Sequence, residues 1–94
     1  MRRDDPARME RMREWLRRVA DELGVEPEAV LDHEEDLLDM VSAVAHGPSR
    51  PGAPLSAFLI GVAVGRGAAA SEAAGRVSVL AQGTDAAEGP AQSR

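Results

Sequence analysis

The 94-residue chain contains no cysteine, which excludes a disulfide framework and a thiolate metal site and gives no sign of an oxidising compartment. It contains no lysine either. All eleven basic residues are arginine, a bias of overall composition that takes functional weight from any single arginine. No apolar stretch follows Met1-Arg2-Arg3-Asp4-Asp5-Pro6, so an ordinary signal peptide is not expected and the expected compartment is the cytoplasm. Residues 19 to 47 carry nine acids and no base. A face that neutralises phosphate needs the opposite balance, so nucleic acid is not an expected partner. A domain near this size buries only about 60–70% of its unfolded surface. That is little core from which to carve a deep enzymatic cleft.

The positive signals are helical. Asp5 before Pro6 reads as an N-cap with proline at the first helical position, where its missing amide proton costs nothing. Met9, Met12, Leu16, Val19, Ala20 and Leu23 then recur at three- and four-residue steps, and Gly24 supplies a left-handed stop, predicting a helix over 6–23. Its other face holds Glu10, Arg13, Glu14, Arg17 and Arg18 at spacings that give weak ion-pair support. A short helix over 27–31 is expected next, with Pro27 in its first turn and Val30-Leu31 as its anchor. Asp32 is the expected cap of a helix over 32–46. Its apolar face is Leu37, Leu38, Val41, Val44 and Ala45, and Glu34, Glu35 and Asp36 lie in the first turn, where a helix start favours acids. Ser49-Arg50-Pro51-Gly52-Ala53-Pro54 is dense in turn formers and reads as a loop.

Leu55 to Arg66 reads as a helix with almost no polar face. A helix apolar all round has to be covered on every side, so this segment is the expected centre of a compact all-α bundle of four main helices. Its apolar run is well short of the roughly 20 residues that cross a bilayer. Ala57, Gly61 and Gly65 form a strip of small residues on which a neighbouring helix of the same chain is expected to pack closely. A last helix over 71–82, capped at Ser71 and ended by Gly83, carries Ala74, Val77, Val79, Leu80 and Ala81. The expected domain is 1–83. Residues 84–94 have nothing to bury and are expected to form a disordered tail.

No residue set qualifies as a catalytic or metal site, and no cofactor is implied. His33-Glu34-Glu35-Asp36 invites a metal reading, but adjacent helical residues point in different directions and only pairs three or four apart share a face. An acidic helix start explains the cluster better. Ser42, Ser49 and Ser56 lie in no nucleophile motif, and His46 is a cation-compatible helix end with no identified carboxylate partner. Two readings exist for the turn before the apolar helix. In the favoured one it is a proline-stiffened turn with Arg50 paired to a carboxylate of the acidic middle region; in the other, Arg50, Ser56 and the helix-start amides hold an anion, with His46 at the edge. Trp15 sits one step off the stripe of the first helix, where it either closes the core edge or serves as an exposed anchor for a partner.

The stretch Arg50-Pro51-Gly52-Ala53-Pro54-Leu55-Ser56-Ala57-Phe58-Leu59-Ile60-Gly61-Val62-Ala63-Val64-Gly65 resembles the RPAAPLTTFLxGxAAG stretch of a family of small actinobacterial helical domains of unknown function. Trp15-Leu16 and the Leu37-Leu38 helix match in order and spacing, so the resemblance covers roughly residues 10–83. Gly52 and Ser56 replace the commoner alanine and threonine. Domains of that family occur alone or fused to a molybdenum cofactor guanylyltransferase. The resemblance therefore implies a non-catalytic accessory or interaction role near molybdenum cofactor biosynthesis, with the guanylyltransferase as partner. It does not imply transferase activity, because the chain has no glycine-rich nucleotide loop after a strand. The alternative is a homodimerisation module using apolar surface around Trp15 or the glycine strip.

Overall fold

A computed structural model of the chain describes residues 5–84. The described residues form five α-helices and no strand, as the sequence predicts. The chain divides into two compact units, with the boundary between His33 and Glu34.

The first unit holds α1 (Pro6–Leu23) and α2 (Glu28–Leu31). Asp5 is extended, and its Oδ1 accepts from the amides of Ala7 and Arg8 at 3.1 and 3.5 Å, with Pro6 at the first helical position. At the other end Gly24 takes φ 69°, and the amide of Val25 donates to the Ala20 carbonyl at 2.8 Å. That 6→1 bond with a left-handed residue inside it is the Schellman closure. A Cβ built on Gly24 meets nothing within 4 Å, so Gly24→Ala carries only the backbone penalty. Urea denaturation is expected to show a loss of about 1 kcal/mol. Asp5→Ala removes the cap and is expected to cost about the same. The Glu10 carboxylate lies 3.6 Å from the guanidinium groups of both Arg13 and Arg17, exposed pairs that contribute little.

Asp32 does not cap the following helix. It is helical in backbone (φ −69°, ψ −12°), closes α2 with its amide on the Glu28 carbonyl, and so lacks the extended geometry of an N-cap. The next helix starts two residues later.

The second unit packs α3 (Glu34–His46), α4 (Gly52–Gly65) and α5 (Ala70–Gln82) against one another. Its core centres on Met40, which is 0% exposed, with Val44, Ala53, Ile60, Ala74 and Ala81. Leu37, Val41, Ala57, Val64 and Val77 pack around them. Alanine dominates the α5 side: Ala70, Ala74 and Ala81 are buried, while Val79 and Leu80 face outward. The small residues face the core, and the larger side chains of Val79 and Leu80 fall on the other sides of the helix.

Helix α4 begins at Gly52, inside the stretch expected to be a loop. Pro51 occupies the N-cap position in helical geometry, and Pro54 then falls in the first turn, whose amides need no helical partner. Two prolines so placed start a helix rather than prevent one. It closes at Gly67 (φ 106°), with the Ala68 amide on the Ala63 carbonyl at 3.0 Å. Ala69, not Ser71, is the N-cap of α5, and it makes no side-chain cap bond. The expected tail lies, apart from Thr84, outside the described residues.

Candidate interaction surface

Among the described residues helix α4 is not covered on every side. Successive residues turn by 100°, so Ala53, Ala57, Ile60 and Val64 share one face and Leu55, Phe58, Leu59 and Val62 the opposite one. The first group packs into the core of the second unit. The second faces out: Phe58 is 70% exposed, Leu55 and Leu59 each 67%, and Val62 37%. The outward residues stand at i, i+3, i+4 and i+7, the spacing that ordinarily marks the buried stripe of an amphipathic helix. Here the larger side chains form the outer stripe and the smaller ones dominate the inner contact.

Among the described residues the two glycines of the small-residue strip have no close neighbour either. Gly61 and Gly65 are exposed, and a Cβ built on either meets nothing within 4 Å. Only Ala57, the third member of the strip, packs toward the core. Beside the outward stripe an open groove of about 470 Å³ runs between α4 and α5, with Leu59, Ile60 and Ala63 on one wall and Ala73, Val77 and Leu80 on the other. Arg76 adds a cation to it. Leu80, 69% exposed, extends the apolar surface onto α5.

The residues proposed for an anion contact are not gathered into one site. Arg50 is exposed and makes no ion pair among the described residues, so the carboxylate partner expected for it is missing there. The amide of Gly52 donates to Ser49 Oγ at 3.1 Å and that of Ala53 to the Arg50 carbonyl at 3.1 Å. The turn thus satisfies the amides at the helix entrance. Ser56 borders a shallow hollow with Val44, Pro48, Val77, Ala81 and Thr84, and neither Arg50 nor His46 lines it. His46 turns back on its own helix: Nδ1 lies 2.9 Å from the Ser42 carbonyl. A carbonyl can only accept, so Nδ1 is the donor of that bond.

Among the described residues no polar or charged side chain is buried, and no three His, Asp or Glu side chains come together as metal ligands. Trp15 is 61% exposed and borders a hollow on α1 with Arg18, Val19, Glu22 and Leu23. Of its two readings, the exposed one describes its position. No helix of the described residues is long and apolar enough to cross a membrane.

The sequence pattern concealed the outer face of α4. With no charge between Pro51 and Gly65, hydropathy cannot say which side is wet. The available signal was size: Ala53 and Ala57 mark the side where another helix lies close, and Leu55, Phe58, Leu59 and Val62 mark the other.

Fold and surface together define a small helical domain that presents an apolar helix face rather than a polar cleft. The chain belongs to the family described as domain of unknown function DUF6457, whose model matches residues 7–90. No curated protein and no solved structure matches it.

Proposed function

We propose that the domain works by contact rather than by catalysis, as an interaction module whose working surface is the outer face of α4 with the adjoining groove on α5. The observation that carries this reading is the exposure of Leu55, Phe58, Leu59 and Leu80, each about two-thirds open to solvent, on one continuous apolar surface. Keeping that much apolar area in water is unfavourable by about 25 cal/mol per Å², and patches of this size on small proteins mark interaction sites. Scattered single leucines would not support the same reading.

The resemblance supplies a context: maturation of the molybdenum cofactor beside its guanylyltransferase, in an actinobacterial cytoplasm. In that setting the domain is an accessory to the transferase. Arg50, exposed at the entrance to α4, is the residue for a polar contact, with Ser56, His46 and Trp15 as secondary candidates. Calorimetric titration of purified guanylyltransferase with the domain tests this assignment. Leu59→Glu, which sets a charge in the apolar face, is expected to abolish binding, and Arg50→Ala to weaken it about tenfold. The transferase assignment fails if the wild-type domain does not bind, or if both variants bind as it does.

A further inference from the structure

We infer that the partner reaches this surface with an amphipathic helix that carries a carboxylate beside its apolar stripe, seated in the groove between α4 and α5 with the carboxylate on Arg76. The inference rests on the proposed interaction role, and it names the chemistry of the partner and the residue that selects it.

The seat follows from the helix pair. α4 and α5 pack together and are joined by residues 66–69 alone, the arrangement of antiparallel neighbours. α3 packs against both of them, but no residue of α3 lines the groove of about 470 Å³. The groove is therefore a second seat on the same pair. On its α5 wall Ala73, Arg76, Val77 and Leu80 stand at i, i+3, i+4 and i+7, two turns over roughly 10 Å. Leu59 and Ala63 belong to the α4 wall. Walls of that length suit two turns of a helix, whose own side chains at the same spacing enter between them.

The one charged residue of the lining decides what that helix carries. Arg76 is exposed, and among the described residues it makes no ion pair, not even with Glu72 one turn before it. A wholly apolar partner closing the groove would take the guanidinium out of water and leave it unpaired, which is strongly unfavourable. A carboxylate set over it restores two charge-assisted bonds in the fork geometry that arginine offers. The apolar walls supply affinity, and Arg76 rejects partners that lack the acid.

Charge around the groove acts in the same direction. The chain as a whole carries −5, but within residues 34–84 four of the five acids, Glu34, Glu35, Asp36 and Asp39, lie on α3. All three arginines of that stretch, Arg50, Arg66 and Arg76, lie on α5 or at the ends of α4. The α4 and α5 side of the second unit is thus net positive and draws an acidic partner toward the groove.

The test uses three synthetic helices of about 18 residues, long enough to hold helix in isolation. Each has the same leucine stripe, with glutamate, glutamine or lysine at one position beside it. Fluorescence anisotropy of the labelled peptides reads binding to the full chain. The glutamate peptide is expected to bind about tenfold more tightly than the glutamine peptide, and the lysine peptide more weakly than either. Arg76→Glu, a change at an exposed position, is expected to reverse that order. Leu59→Glu is expected to abolish binding of the glutamate peptide, which fixes the contact in this groove. Equal binding of the three peptides, binding of none, an unchanged order in Arg76→Glu, or full binding to Leu59→Glu would each overturn the inference. If the transferase titration shows loss of binding on Leu59→Glu while the peptides are not distinguished, the acidic helix is excluded and the interaction role stands. If the peptides are distinguished as expected and the transferase does not bind, only the transferase assignment fails.

Discussion

Met40→Ala is expected to lower stability by about 2–5 kcal/mol, with the urea midpoint falling and the slope of the transition unchanged. Among the described residues Met40 is the one large side chain with no exposed surface, and it sits in the core that α3 forms with α4 and α5. Truncation removes three heavy atoms from a site surrounded by Val44, Ile60 and the alanines of α5. Alanines have no side-chain freedom with which to fill the gap, so the cavity persists and its cost adds to the lost transfer energy. Phe58→Ala provides the contrast. It deletes more atoms from an exposed position, and in the monomer it is expected to change stability by no more than about 0.5 kcal/mol. Equal losses for the two variants would contradict the assignment of inner and outer faces.

Gly47→Ala is the second large effect expected. A Cβ at Gly47 would stand 2.7 Å from the Ala43 carbonyl oxygen and 3.1 Å from that of Ala81. Both neighbours are backbone, so no side chain can swing away: the turn that ends α3 would have to shift off Ala43, and the end of α5 at Ala81 to give slightly. An overpacking cost of about 1–3 kcal/mol follows. Gly61→Ala, with nothing in its way, is expected to change stability in the other direction, by about 0.5–1 kcal/mol. Chemical denaturation of the two variants side by side reads the difference in sign. Destabilisation by both, or by neither, would contradict the close backbone at Gly47 or the open space at Gly61.

Much of the fold was legible in the sequence because helix ends have local causes. Asp5 with Pro6 and the Leu23-Gly24 stop place both ends of α1 at the residue, since caps and left-handed glycines act within one turn. The start of α3 was misplaced by two residues because Asp32 serves the end of α2, a choice between two helices that local chemistry does not rank. The Pro51 and Pro54 pair reads as a turn by composition, although proline in a first turn is compatible with a helix. The periodicity favours Leu38 and Ala45, while the structure buries Met40. A face written as i, i+1, i+4, i+7, i+8 leaves out the i+3 position on which Met40 sits.

The surface was harder to read, for a reason specific to α4. Amphipathicity reports orientation only when one face is polar, and this helix has no charge with which to declare its wet side. Its small-residue strip predicts a close neighbour within the chain, whereas among the described residues a Cβ on Gly61 or Gly65 meets nothing within 4 Å. The anion reading of Arg50 and the α4 entrance depended on free amides. Those of Gly52 and Ala53 are bonded to Ser49 and Arg50, a detail of turn geometry that proline content alone does not disclose.

The outward orientation of the α4 stripe is the claim on which the functional reading stands, and the absence of native cysteine allows a direct measurement. Phe58→Cys and Ile60→Cys each introduce a single thiol, on opposite faces of the same helix. Alkylation rates are compared at high dilution, each relative to the same variant in urea. Phe58→Cys is expected to react at close to its unfolded rate and Ile60→Cys to be strongly protected. Equal protection of the two thiols at high dilution would contradict the account, because it would mean that α4 is covered on both faces and presents no apolar surface to a partner.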